Sequence, residues 1–325
     1  MLDAAATRAA LPVARVIDVM RDAMAAFASG DAYQPVRMVV QPPGIPGLGV
    51  LKPAHVGGSF DAFGFKSVTL FPGNADHGLD SVQGFVALLD PRTGVPLALL
   101  EGGVVTEVRT SAVSAVATDV LAHADAGDLA LLGAGVQARG HLEAIAHVRD
   151  LRRVRVWNRT EKRARSLAEW GAERSLLIEV CDTPQAAVDG ADLVCTVTSS
   201  PDPVLEGDWL AAGAHVNAVG AFTPDTREVD SEVVRRADVI VVDSRESMRA
   251  EAGDLLIPLE QGVLTEPFEP AELGEILTGA RTGRASGDQI TFYESLGLAL
   301  QDVTAAAFAV GVAEAGGLGV EVAFP

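Results

Sequence analysis

Leu129-Ala130-Leu131-Leu132-Gly133-Ala134-Gly135-Val136-Gln137-Ala138 reads as a short apolar strand running into a Gly-x-Gly-x-x-Ala turn that opens a helix. The first glycine permits a tight turn, the second lets the backbone approach a pyrophosphate, and Ala138 lets helix and strand pack closely. The helix start adds amide donors and the positive end of its dipole. From Asp128 onward, short apolar strands at Leu129–Leu132, Val154–Trp157, Leu176–Val180, Leu193–Val197, His215–Val219 and Val239–Val242 alternate with helical segments. That alternation predicts an α/β fold, a Rossmann-type doubly wound parallel sheet covered on both faces. A glycine pair also occurs in ordinary α/β turns; the βαβ setting makes this one a dinucleotide site, with Gly133, Gly135, Val136, Gln137 and Ala138 as contacts.

The end of the second strand separates the two nicotinamide cofactors. An NAD site places Asp or Glu about 20 residues on, to accept from the ribose 2′-OH. Here Val154-Arg155-Val156-Trp157 ends in Asn158-Arg159-Thr160, with Lys162 and Arg163 behind. Arg159 can pair with a 2′-phosphate and Thr160 can donate at the next helix start, so NADPH is expected. NADH is the alternative, if the basic helix start only faces solvent.

The chain has 325 residues, 48% hydrophobic and 21% charged, which is globular composition for about two domains. A formal charge of −19 argues against nucleic acid and anionic membrane surfaces as partners. Two cysteines, Cys181 and Cys195, make no disulfide framework and point to a reducing cytoplasm. The start lacks a basic segment followed by an apolar one, and no apolar run is long enough to span a membrane. The only lysines are Lys52, Lys66 and Lys162. A lysine in an apolar run therefore needs a reason.

Before Asp128 the pattern is an amphipathic helix, then extended runs at Val36–Val40, Phe65–Phe71, Gly84–Leu89 and Val95–Leu100, with the Pro/Gly-rich Gln41–Gly49 as a long loop. Asp90-Pro91-Arg92-Thr93-Gly94 is a hairpin turn. Thr106 is the expected cap of the following helix, which puts Arg109 and Thr110 in its first turn. Lys66 sits among apolar neighbours. Either it snorkels to water from an edge strand, or burial lowers its pKa toward neutrality, as a proton donor needs. Arg37, Lys66 and Arg109 are three cations on separate elements that can converge on one carboxylate. Ile290–Ala315 is a strand followed by an Ala-rich helix, which either extends the second domain or crosses back to the first.

Several ordered motifs carry a resemblance. Gln34-Pro35-Val36-Arg37, Gly64-Phe65-Lys66 with Pro72 and Asn74, Thr106-x-x-Arg109-Thr110-Ser111-Ala112, Gly133-x-Gly135-x-Gln137-Ala138, Asn217-Ala218-Val219-Gly220-Ala221 and Glu294-Ser295-Leu296-Gly297 occur in the order seen in the ornithine cyclodeaminase/mu-crystallin family. The resemblance implies an α+β substrate-binding and dimerisation domain over residues 1–125, rejoined by 298–325, and a Rossmann domain over 126–297. It implies a homodimer. It also implies that Arg37, Lys66 and Arg109 hold a substrate carboxylate, with Lys66 placed for proton transfer. Cofactor contacts carried over the same way are Ser81, Arg109, Thr110, Gln137, Ala138, Asn158, Arg159, Thr160, Arg163, Thr198, Val219 and Ser295.

One departure chooses among family members. Ornithine cyclodeaminases resemble Gly-Gly-Asp-Cys-Pro-Gly-Lys after the fifth Rossmann strand, with the Asp as base. This chain reads Gly220-Ala221-Phe222-Thr223-Pro224-Asp225-Thr226. Phe222 cannot move a proton. The mu-crystallin branch shares this departure and the Trp-Asn-Arg-Thr strand end, and its members resemble NADPH-dependent ketimine reductases acting on cyclic imino acids such as Δ1-pyrroline-2-carboxylate and Δ1-piperideine-2-carboxylate. Phe222 is then a substrate-side apolar contact. The alternatives are an ammonia-releasing cyclodeaminase and a non-catalytic NADPH-dependent binding protein. No metal site is expected, because the histidines lack ligand spacing. Tyr293 and Glu294 either line the nicotinamide pocket or pack in the core.

Overall fold

Period-two patterning broken by turn residues builds an antiparallel sheet in the N-terminal third. Its strands are β1 (Ala32–Tyr33), β2 (Met38–Val40), β3 (Leu48–Val56), β4 (Ala62–Leu70), β5 (Val82–Leu89) and β6 (Pro96–Glu101), ordered β1-β3-β4-β5-β6 with β2 also on β3. Helices α1 (Ala4–Ala10) and α2 (Val13–Ala28) precede it and α3 (Gly102–Leu121) follows. The predicted hairpin turn forms: Asp90 Oδ1 accepts from the N–H groups of Arg92 and Thr93, both at 2.8 Å. The computed structural model describes residues 1–323. They divide into two units, Met1–Arg109 with the chain from Gly297 on, and Thr110–Leu296.

Two expectations change here. The loop expected over 41–49 gives way at Leu48 to β3, a nine-residue strand. Pro53 is tolerated inside it because β1 pairs only with His55 and Val56, and β2 only with Gly49, Val50 and Leu51. No neighbour on that side calls for the N–H that proline lacks. Thr106 is not the cap of α3. The helix starts at Gly102, where the Glu101 carboxylate accepts from the N–H groups of Gly103 and Val104 at 2.7 Å each. An acid at that position satisfies the orphan donors and complements the dipole. Thr106 is one turn further on, with Arg109 in the second turn.

The second unit carries β7 (Asp128–Leu132), β8 (Arg153–Trp157), β9 (Ile178–Val180), β10 (Leu193–Thr196), β11 (His215–Ala218), β12 (Val239–Val242), β13 (Ala271–Glu272) and β14 (Thr291–Glu294). Between them run α4 (Val136–Ile145), α5 (Glu161–Ala172), α6 (Pro184–Val188), α7 (Ser231–Arg236), α8 (Arg245–Glu251), α9 (Gly253–Glu260) and α10 (Leu273–Leu277). The sheet is parallel, in the order β13-β12-β14-β11-β10-β7-β8-β9. Leu129, Leu131, Val154, Val156 and Cys195 face one core, while Ala130, Leu132, Val194, Val216 and Phe292 face the other. From β7 the chain moves outward to β8 and β9, then returns to β10 on β7's other side. The loops after β7 and β10 therefore diverge, and such a switch point is where open α/β sheets bind ligands.

The C-terminal segment does both things that its sequence left open. Strand β14 completes the parallel sheet between β11 and β12, and α11 (Ala299–Gly316) returns to the first unit, packing on α2, β3, β4 and β5. The division falls at 109/110 and 296/297, not at the expected 125/126 and 297/298. The physical reason lies in α3, whose last turns are tied into the second unit: Thr118 Oγ1 accepts from Asn217, and the Leu121 carbonyl accepts from Thr291 Oγ1. Among the described residues, no helix is long and apolar enough to cross a membrane.

Candidate active site

Lys52 and Lys66 are register partners across β3 and β4, so both side chains leave the same face of the sheet. Val86 and Leu100 continue that row, and α11 covers it. The two ammonium groups converge on Asp302 in the first turn of α11. Lys52 Nζ lies 3.1 Å from Asp302 Oδ2 and donates to the Gly297 carbonyl at 2.8 Å. Lys66 Nζ lies 3.2 Å from Oδ1 and also donates to Thr106 Oγ1. Arg109 Nε donates to Oδ1 at 2.9 Å, and its Nη1 donates to Gln301 Oε1 at 2.9 Å. All four charged groups are buried. Gly297 is required beside them: its φ is +79°, and a Cβ there would sit 2.6 Å from Arg109 Nη1.

Three cations thus share one carboxylate, an arrangement short of negative charge. Burial alone would raise the Asp302 carboxyl, yet Arg109, Lys52 and Lys66 hold it well below the usual carboxylate range. Burial pushes Lys52 down to about 7 against the attraction of Asp302, with the charges of Arg109, Lys66 and Arg37 adding to the fall. The same balance puts Lys66 at about 8. A buried lysine near neutrality can hold or release a proton at ordinary pH. Of the two readings of Lys66, the buried one is what the structure has. Lys66 and Arg109 meet at Asp302, and the charge of Arg37 adds to the lowering of both lysines. Lys52 and Asp302 were missed. The scarcity of lysine marked Lys52, and Asp302 stands out as an acid in the first turn of an apolar helix.

The phosphate turn is built as its sequence predicts. Gly133 has φ +118°, and a Cβ there would lie 2.6 Å from the Val197 carbonyl, so no larger residue fits between β7 and β10. Gly135 caps α4 without a side-chain bond, so the cap itself offers the first-turn amides no side-chain acceptor, and Ala138 is wholly buried against the sheet. Thr110 Oγ1, Gln137 Oε1 and Ser295 Oγ are buried oxygens without a hydrogen-bond partner among the described residues. Buried orphans are rare in proteins and fit groups awaiting a ligand. At the end of β8, Asn158 donates to the Thr160 carbonyl at 3.0 Å, and Arg159, Thr160 and Arg163 are exposed. The nearest acid, Glu161, pairs with Arg165. These residues fit a dinucleotide.

Residues 1–316 match the sequence profile of the ornithine cyclodeaminase/mu-crystallin family. The chain belongs to that family. A ketimine reductase mu-crystallin of Mus musculus is 40% identical over 294 residues, covering 90% of each chain. A Δ1-pyrroline-2-carboxylate reductase of Bacillus cereus is 39% identical over 265 residues, covering 81% of each. Among solved structures, Thermococcus litoralis Δ1-pyrroline-2-carboxylate reductase in complex with NADH and L-proline superposes with a TM-score of 0.94 at 35% identity, covering 99% of this chain and 100% of that one.

Within this family frame the remaining predicted positions are placed as follows. Thr198 and Val219 follow β10 and β11, partly buried. Phe222, on the loop after β11, is 48% exposed. Ser81 lies between β4 and β5 in the first unit, its carbonyl accepting from Phe71 N–H. Tyr293 and Glu294 are wholly buried.

Proposed function

We propose that this protein reduces a cyclic imino carboxylate of the Δ1-pyrroline-2-carboxylate or Δ1-piperideine-2-carboxylate kind to the L-amino acid, with NADPH preferred over NADH. The observation that carries the reading is the buried excess of positive charge at Lys52, Lys66 and Arg109. A substrate carboxylate supplies the missing anion, held by Arg109, Arg37 and Lys52. Lys66 lies at about 8 before substrate arrives and is kept protonated by the entering carboxylate, so it can give its proton to the imine nitrogen near neutral pH. Reduced nicotinamide, when bound, supplies the hydride. The α4 amides would hold the pyrophosphate, with Thr110, Gln137 and Ser295 offering their free oxygens, and Arg159 with Thr160 the 2′-phosphate. Phe222 supplies an apolar wall and no base, which disfavours deamination of ornithine.

The relatives' names support the reaction class, and the bound NADH of the Thermococcus enzyme supports a nicotinamide cofactor. The test is imine-dependent loss of reduced-nicotinamide absorbance with each cyclic imine, NADPH against NADH. Ammonia release from ornithine without net cofactor oxidation would establish the cyclodeaminase instead.

A homodimer is part of the proposal. The sheet face opposite the lysines carries Phe63, Phe85, Leu97 and Leu99 in the open, with Phe65 edge-on to Phe85 at 6.2 Å. A contiguous apolar face of that kind marks an interface, and a second copy is the simplest partner.

A further inference from the structure

Glu228 is a wholly buried carboxylate on the segment between β11 and α7. Its Oε1 accepts from Thr198 N–H and Thr198 Oγ1, both at 2.5 Å, and its Oε2 accepts from Gly220 N–H at 2.7 Å. Thr198 follows β10 by two residues and Gly220 follows β11 by two. One side chain therefore ties together the exits of two adjacent strands, on the sheet edge where the switch point lies.

The segment is itself pinned. The Glu228 carbonyl accepts from Val204 N–H at 2.8 Å and Leu205 N–H at 3.1 Å, and Asp254 Oδ1 accepts from the N–H groups of Glu228 and Val229 at 2.8 Å each. Gly220 is held so close that a Cβ would lie 2.6 Å from Glu228 Cδ and nearer still to the Thr198 carbonyl. Burial raises the Glu228 carboxyl, and the donors from Thr198 and Gly220 oppose the rise. No ion pair to Glu228 is formed among the described residues, and three donors on two oxygens satisfy it as an acceptor-only group.

We infer that Glu228 is a positioning residue for the reduction: it sets the spacing of the loops after β10 and β11, and through them the aim of the nicotinamide end of the cofactor. The inference rests on the proposed dinucleotide function. A glutamine keeps the reach of Glu228 but turns an NH2 toward one of the donors, so one loop is released. An aspartate keeps the acceptors but falls a methylene short.

The test is Glu228→Gln in the full-length protein with NADPH and a cyclic imine. The hydride step should slow by about 10–100-fold, since small misplacements of reacting groups cost that much. The primary deuterium isotope effect on kcat, with 4-deuterated NADPH, should rise as that step becomes limiting. The KM of the imine should stay within about twofold, because a loss confined to kcat marks an interaction realised in the transition state. A folded variant with wild-type kcat and isotope effect overturns the inference.

If Glu228→Gln does not fold, Thr198→Val, which deletes one donor, and Gly220→Ala, which spreads the same two loops, decide the matter. Loss of kcat with a raised isotope effect in either supports the clasp, and wild-type values in both overturn it. Wild-type protein that neither binds NADPH nor oxidises it with imine would remove the underlying function first, before any variant is made.

Discussion

A carboxylate entering the lysine pair should bring protons with it. In the free protein, burial holds Lys52 at about 7 and Lys66 at about 8. At about pH 8 the first is then about nine-tenths neutral and the second about half neutral. An anion placed against both restores the charge balance and raises both pKa values, so each ends protonated. Binding should take up about 1.4 protons at pH 8 and about 0.1 at pH 6. The sign follows from the direction of the shifts: the bound state holds more protons, so affinity weakens as pH rises from 7 through 8. Titration calorimetry with cyclopentanecarboxylate, a ring acid whose only ionisable group is the carboxylate, in buffers of different ionisation enthalpy reads the proton count directly. Zero uptake at pH 8 would refute the reasoning, because it would mean that the anion changes the charge of neither lysine.

Four further outcomes are expected. Lys66→Met should lower kcat for the cyclic imine by about 10²–10⁴-fold, the usual share of a proton donor, and near-wild-type turnover would remove Lys66 from the mechanism. Asp302→Asn leaves three buried cations without their anion and should cost about 3–5 kcal/mol of unfolding free energy near neutral pH. Denaturant melts should show that loss shrinking above about pH 8, as the lysines shed their protons. Arg159→Asp should reverse the cofactor preference by raising the KM for NADPH and sparing that for NADH; an unchanged ratio would place the 2′-phosphate elsewhere. Phe85→Asp, in the middle of the exposed apolar face, should sediment as a monomer where the wild type sediments as the proposed dimer; a wild-type monomer would remove the dimer, and an unchanged dimer in the variant would move the interface.

The parallel sheet was legible because its strands are buried on both faces and read as unbroken apolar runs between glycine turns, and because the glycine positions are dictated by contacts such as Gly133 against Val197. The antiparallel sheet was less so. Strand β3 carries Gly49, Lys52 and Pro53, each of which argues against a strand when read alone, and only the pairing gap around Pro53 makes the proline harmless. Losing β3 also lost Lys52. Asp302 was hidden differently: it lies almost 200 residues beyond Arg109, and an acid interrupting an apolar helix reads as a solvated face until its partners are known. The capping acid Glu101 was overlooked because Thr106 offered a more familiar helix start one turn later.

The return of α11 has a consequence for how the molecule is made. The second unit is contiguous in the chain and can close while synthesis continues, but the first cannot. Lys52, Lys66 and Arg109 emerge from the ribosome long before Asp302, which lies on α11. Until it arrives, the antiparallel sheet has neither its apolar cover nor its counter-ion. The cation site is therefore completed only once α11 has been made, after the whole of the parallel sheet.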